Sequence, residues 1–120
     1  MSEPFVEFAP PDYGDAEIAA VAEALRSGWT TTGPRTAAFE KAFRECIGAP
    51  HALAVSSGTA AIHLALTALG LAPGDEVITT PLTFCATVNA ILQTGATPVL
   101  ADVGDDLNLS PDAIRRAVTP

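Results

Sequence analysis

The sequence predicts an α/β fold, a mostly parallel sheet flanked by helices. Three observations predict it. Short apolar runs at 51–55, 76–80 and 97–101 alternate with stretches of helical periodicity. Turn residues punctuate the changeovers: Ser56-Ser57-Gly58, Pro73-Gly74-Asp75 and Gly95. A strand-helix-strand succession gives parallel pairing with right-handed crossovers, because only a crossover returns the chain to run the same way.

Each element follows in order. The first dozen residues, with Pro4, Pro10 and Pro11, read as an extended arm over 1–14. Asp15 is placed to cap a helix running through Ser27, with Gly28 as its left-handed stop. Ile18, Val21, Ala22 and Leu25 recur along it at helical spacing. Trp29-Thr30-Thr31-Thr32-Gly33-Pro34 reads as loop. A second helix is expected from Thr36 to Ile47, with Phe39, Ala42, Phe43, Cys46 and Ile47 in one apolar stripe. Cys46 thereby reads as core, and Glu40 and Lys41 as solvated. Residues 51–55 read as a buried strand. Thr59 to Leu69 reads as a helix with Ile62, Ala65, Leu66 and Leu69 facing inward. A strand over Glu76–Thr80, a helix over Thr83–Gln93 and a strand over Thr97–Ala101 follow. Ser110 and Pro111 open a last helix, since Pro suits the first helical position. The expected organisation is one partial domain: an arm over 1–14, helices and a loop over 15–50, and a βαβαβα portion over 51–120.

Composition narrows the function. The chain has 120 residues, with 6 Lys+Arg against 14 Asp+Glu and a net charge of −8. That balance argues against nucleic acid, which requires clustered positive charge, and against anionic membranes. With 48 % hydrophobic and 17 % charged residues, the chain is too apolar for intrinsic disorder. No apolar run is long enough to span a bilayer, and the acidic start lacks the features of a signal peptide. Two cysteines outside any CxxC make no disulfide scaffold, so a cytoplasmic location is expected. His51 and His63 have no metal partner at ligand spacing, so no metal site is expected. There is one lysine, Lys41.

In parallel sheets ligands gather where strands hand over to helices. Two such turns stand out. Ser56-Ser57-Gly58-Thr59 joins an apolar run to a helix start, whose free N–H groups suit an anion. Gly58 would let a phosphate approach, and Ser57 and Thr59 would add hydroxyls. Plain capping of a core helix explains the same four residues. The turn has neither the GxGxxG of a dinucleotide site nor the Gly-Lys-Ser/Thr of a Walker loop. Phe84, after the second strand, could stack on a planar ring or pack in the core. The Trp29 loop could line a substrate pocket or cap the domain.

Taken in order, Gly28-Trp29, Thr32-Gly33-Pro34, Phe39-Glu40, Ser56-Ser57-Gly58-Thr59-Ala60-Ala61, Gly74-Asp75-Glu76-Val77-Ile78, Thr83-Phe84, Ala86-Thr87, Asn89-Ala90 and Gly95-Ala96-Thr97-Pro98-Val99 resemble one family. It is the DegT/DnrJ/EryC1/StrS family of pyridoxal-phosphate-dependent sugar aminotransferases, and the resemblance runs from Asp12 to Pro120. It implies the N-terminal part of the large domain of a fold-type I aminotransferase, working as a homodimer. Such an enzyme transfers an amino group, usually from glutamate, to a keto group on a nucleotide-linked sugar. By position, Ser57, Gly58 and Thr59 would hold the phosphate of pyridoxal 5'-phosphate, and Phe84 would stack on its ring. Trp29, Thr30, Thr32 and Gly33 would lie beside the substrate. The resemblance places the Schiff-base lysine beyond Pro120, and Lys41 has no matching motif. No catalytic residue is therefore expected in these 120 residues, which are expected to be inactive alone. Two alternatives stay open: a dehydratase of the same family, with histidine in place of the lysine, and a non-catalytic chain that binds phosphate or a partner.

Overall fold

The computed structural model describes residue 5 and residues 9–119. Within these the chain falls into two compact units, one ending at Ala54 and the other beginning at Val55. The arm expected over 1–14 lies partly outside the described residues. Its described part, 9–14, is exposed and neither helix nor strand.

The first unit carries two helices. α1 spans Asp15–Arg26. Its cap is Gly14, not the expected Asp15. The Glu17 carboxylate reaches back to accept the Gly14 N–H at 2.7 Å, which satisfies one of the amides a helix start leaves open. That hydrogen bond holds the Glu17 carboxyl below its usual range. α2 spans Pro34–Ile47, starting two residues earlier than expected because Pro34 is preset for the first helical position. Gly48 ends it in the left-handed region, φ 68°.

The second unit is built around a parallel pair of strands, β1 (Glu76–Thr79) and β2 (Thr97–Leu100), in register Glu76 to Thr97 through Thr79 to Leu100. α3 (Gly58–Ala68) precedes β1, α4 (Ala86–Gln93) connects the strands, and α5 (Pro111–Ala117) follows β2. The Asp75 carboxylate accepts the Ala72 N–H at 2.8 Å and closes the turn into β1. Ser110 caps α5 through its Oγ, with Pro111 next, as expected. α4 begins three residues later than expected. Thr80 Oγ1 accepts the Leu82 N–H at 3.1 Å, and this turn holds 81–83 out of the helix.

Two expectations need correction. Residues 51–55 form no strand, and among the described residues the sheet is β1–β2 alone. A strand exists only through a backbone partner. Here the Ala54 N–H goes instead to the Glu40 carboxylate, Oε1, at 2.8 Å. Second, the apolar stripes are not covered. Ile18, Val21, Leu25, Phe39, Phe43, Ile47 and Leu69 are exposed, and so is Cys46, which the stripe had placed in a core. Ala65 is exposed as well, and Ile62 and Leu66 are half-buried. Helical spacing says which side of a helix is apolar, not what covers it. Phe39 and Phe43 contact each other, their ring centroids 5.9 Å apart. The buried core is small. It comprises Ala90 and Ile91 of α4, Ala96, Ala101 and Ala113, with Thr79 at the end of β1. The α/β class stands, on a β1-α4-β2 unit with α3 packed on α4.

Candidate functional site

The turn into α3 is shaped by Ser57. Its backbone is extended and its Oγ accepts the Ala60 N–H at 3.1 Å, while its carbonyl accepts the Ala61 N–H at 3.0 Å. The Ala61 bond is the first of the helix itself, so of the amides that a helix start leaves open Ser57 satisfies one, that of Ala60. The Gly58 and Thr59 N–H groups have no protein acceptor among the described residues. The first turn of α3 carries no acidic side chain that would repel an anion. Gly58 sharpens the point. Its φ lies outside the left-handed region, and a Cβ built on it meets nothing within 4 Å. Neither the backbone nor the packing of this chain requires a glycine there. A phosphate drawn close to the backbone would require one, so the residues present fit that group.

The turn into α4 presents Phe84. Its ring is 77 % exposed, so it is not a core residue of this unit. The Phe84 carbonyl accepts the Thr87 N–H at 3.1 Å, and the Thr83 and Thr87 hydroxyls lie 3.2 Å apart, which anchors the turn on both sides of the ring. The two turns therefore open two helices that pack on each other. Cys85 is exposed and free.

The loop between α1 and α2 belongs to the first unit. Trp29 donates its backbone N–H to Ser27 Oγ at 3.2 Å and its Nε1–H to the Thr32 carbonyl at 2.9 Å. Its indole lies against Gly33. The loop borders a cleft of about 410 Å³ with Ser27, Thr31, Arg35 and Glu23 on its walls. Arg35 and Glu23 form an ion pair at 2.7 Å. Trp29, Thr32 and Gly33 thus form one cluster, and Thr30 is exposed beside it.

Several contacts carried no signal in the sequence. Glu40, read as solvated, is half-buried and holds Ala54 across fourteen positions. No local spacing rule reaches that far. The Arg35–Glu23 pair was missed for the same reason. Lys41 is exposed and sits 4.0 Å from Glu45, a solvated helix pair. No cluster of metal-ligating side chains occurs among the described residues. The two carboxyls held below their usual range, Glu17 and Asp106, lie in neither βα turn nor in the Trp29 loop. The second is lowered by the Asn108 backbone N–H and then by its side chain. What the two turns present is therefore a pair of free amides and an exposed ring.

A parallel β1-α4-β2 unit with α3 packed on α4, free amides at the start of α3 and an exposed aromatic ring at the start of α4, places the chain in the α/β class. Within that class the chain belongs to the DegT/DnrJ/EryC1/StrS aminotransferase family, whose profile matches residues 11–120. It is 52 % identical over 117 residues to the spore coat polysaccharide biosynthesis protein SpsC of Bacillus subtilis (strain 168), covering 97 % of this chain and 30 % of that protein. Among solved structures it is similar to Spr1654 of Streptococcus pneumoniae, assigned as a sugar aminotransferase and solved in its PLP form. That match has a TM-score of 0.88 and 40 % identity, over 95 % of this chain and 29 % of the other. It is also similar to an aminotransferase from Psychrobacter cryohalolentis, with a TM-score of 0.86 and 38 % identity, over 94 % and 30 %. The chain thus spans about 30 % of the length of these relatives.

Proposed function

We propose that this chain supplies the phosphate cradle and ring platform of a pyridoxal-phosphate-dependent sugar aminotransferase. In this reading Ser57, Gly58 and Thr59 hold the cofactor phosphate, Phe84 stacks on its ring, and the Trp29–Gly33 loop lies on the substrate side. When bound, pyridoxal 5'-phosphate supplies the electron sink for amino transfer. The amino group would pass from glutamate to a keto group on a nucleotide-linked sugar, in a homodimeric enzyme. In this reading Lys41, exposed and paired with Glu45, takes no part in the chemistry.

One observation carries the reading. The Gly58 and Thr59 amides are unspent, beside a glycine that nothing in the chain demands. The anion must therefore be held by backbone amides at the positive end of a helix, with hydroxyls alongside. An acidic chain can bind phosphate in that way without a basic side chain.

Phosphorus NMR of pyridoxal phosphate titrated with the protein tests this. The expected result is a shifted or broadened phosphate resonance that Gly58→Val restores to its free value. An unperturbed resonance in the unmodified protein would remove the cradle. Transfer of labelled nitrogen from glutamate to the keto nucleotide sugar, read by mass spectrometry, tests the reaction itself.

A further inference from the structure

We infer that Gly33 is a positioning residue for Trp29, which it holds as a fixed aromatic face on the cleft between α1 and α2. Gly33 caps α2 with an extended backbone, φ −166°, which any residue adopts. Its lack of a side chain is needed for a different reason. A Cβ there would fall within 3.0 Å of the Trp29 indole atoms Nε1, Cδ1 and Cε2. The indole therefore lies directly on the Gly33 backbone. Its Nε1–H is already donated to the Thr32 carbonyl, and the Trp29 N–H to Ser27 Oγ. The ring's orientation is set by its own hydrogen bond and by that flat contact, while the backbone bond to Ser27 holds the chain it hangs from.

What the ring offers to the cleft is then an apolar surface. Around it stand the Ser27 and Thr31 hydroxyls and the Arg35–Glu23 pair. The guanidinium charge is matched by the carboxylate, so the rim favours a hydrogen-bonding neutral group over a bare anion. A flat hydrocarbon face with a hydroxyl edge is the surface of a sugar ring. Assigning the cleft to the sugar rests on the function proposed above; the positioning of Trp29 by Gly33 does not.

Trp29 is the one tryptophan of the chain, so its emission reports on this loop alone. A Cβ at Gly33 would meet the movable end of a side chain, so Gly33→Ala should displace the indole and spare the helices. The expected result is emission shifted to longer wavelength and loss of the indole bands in near-ultraviolet circular dichroism, with the far-ultraviolet spectrum kept. Gly14→Ala is the control, because Gly14 has φ −110° and a Cβ there makes only an ordinary contact, 3.4 Å from the Glu17 carboxylate. It should leave the indole bands in place. A double-mutant cycle closes the test. Gly33→Ala should lower the urea midpoint in the Trp29 protein and lose that effect in a Trp29→Ala background. Unchanged indole bands in Gly33→Ala, or equal midpoint shifts in both backgrounds, would overturn the inference. Phosphorus NMR with pyridoxal phosphate should be unaffected by Gly33→Ala. Failure of the cofactor reading would show in that experiment and leave the Trp29 spectra untouched.

Discussion

Replacing Gly58 by alanine should move stability and cofactor binding in opposite directions. Gly58 is the first residue of α3, its φ is not positive, and a Cβ meets nothing within 4 Å. Alanine should therefore stabilise the chain, because it loses less backbone freedom on folding, by roughly 0.4–1 kcal/mol. For a unit of this size that is a rise in melting temperature of roughly 2–8 °C. A phosphate held by the Gly58 and Thr59 amides makes charge-assisted hydrogen bonds worth roughly 1.5–3 kcal/mol each. Losing one should weaken pyridoxal phosphate by roughly ten- to a hundredfold. The assay pairs a thermal melt of the ligand-free protein with a phosphorus NMR titration of the same variant. A lower melting temperature would show that the glycine serves the fold. A higher melting temperature with unchanged affinity would show that the phosphate does not approach this backbone. Only a gain in one and a loss in the other agrees with the cradle.

Four further outcomes follow from the same geometry. Phe84→Ala should leave the melting temperature unchanged, since the ring is 77 % exposed. It should weaken pyridoxal phosphate by roughly 0.5–1.5 kcal/mol in a binding titration, and unchanged affinity would take Phe84 out of the site. Ile91→Ala should cost about 2–5 kcal/mol in urea denaturation, because Ile91 is 1 % exposed at the centre of a small core. Leu107 sits at φ 61° and is 69 % exposed, so Leu107→Gly should relieve about 1 kcal/mol of left-handed strain and raise the urea midpoint. Finally, Glu17 and Asp106 should titrate below ordinary carboxylates when followed by NMR. A carboxyl lowered in the folded state adds stability that is fully present above its unfolded pKa. That stability is lost as pH falls through the folded value, so Glu17→Gln should flatten the acid limb of the pH–stability curve.

The glycines show how much of this molecule could be read from its sequence. Gly28, Gly48, Gly70, Gly74 and Gly95 all have φ between 68° and 105°, so they serve the backbone, and local punctuation identifies such turns without a structure. Gly33 serves a contact four residues away, with an indole whose direction no periodicity predicts. Gly58 serves neither the backbone nor a contact among the described residues. The same ordering holds elsewhere. The Ser110–Pro111 helix start and the turn closed by Asp75 depend on neighbours within three residues, and both were legible. The expected strand at 51–55 depended on a partner backbone, and Glu40 took the Ala54 amide from fourteen residues away. The stripes of α1 and α2 were legible as faces, but their burial depends on whatever covers them. Legibility therefore falls with the distance over which a residue acts. A position whose requirement cannot be found within the chain at all then becomes the most informative about what the chain binds.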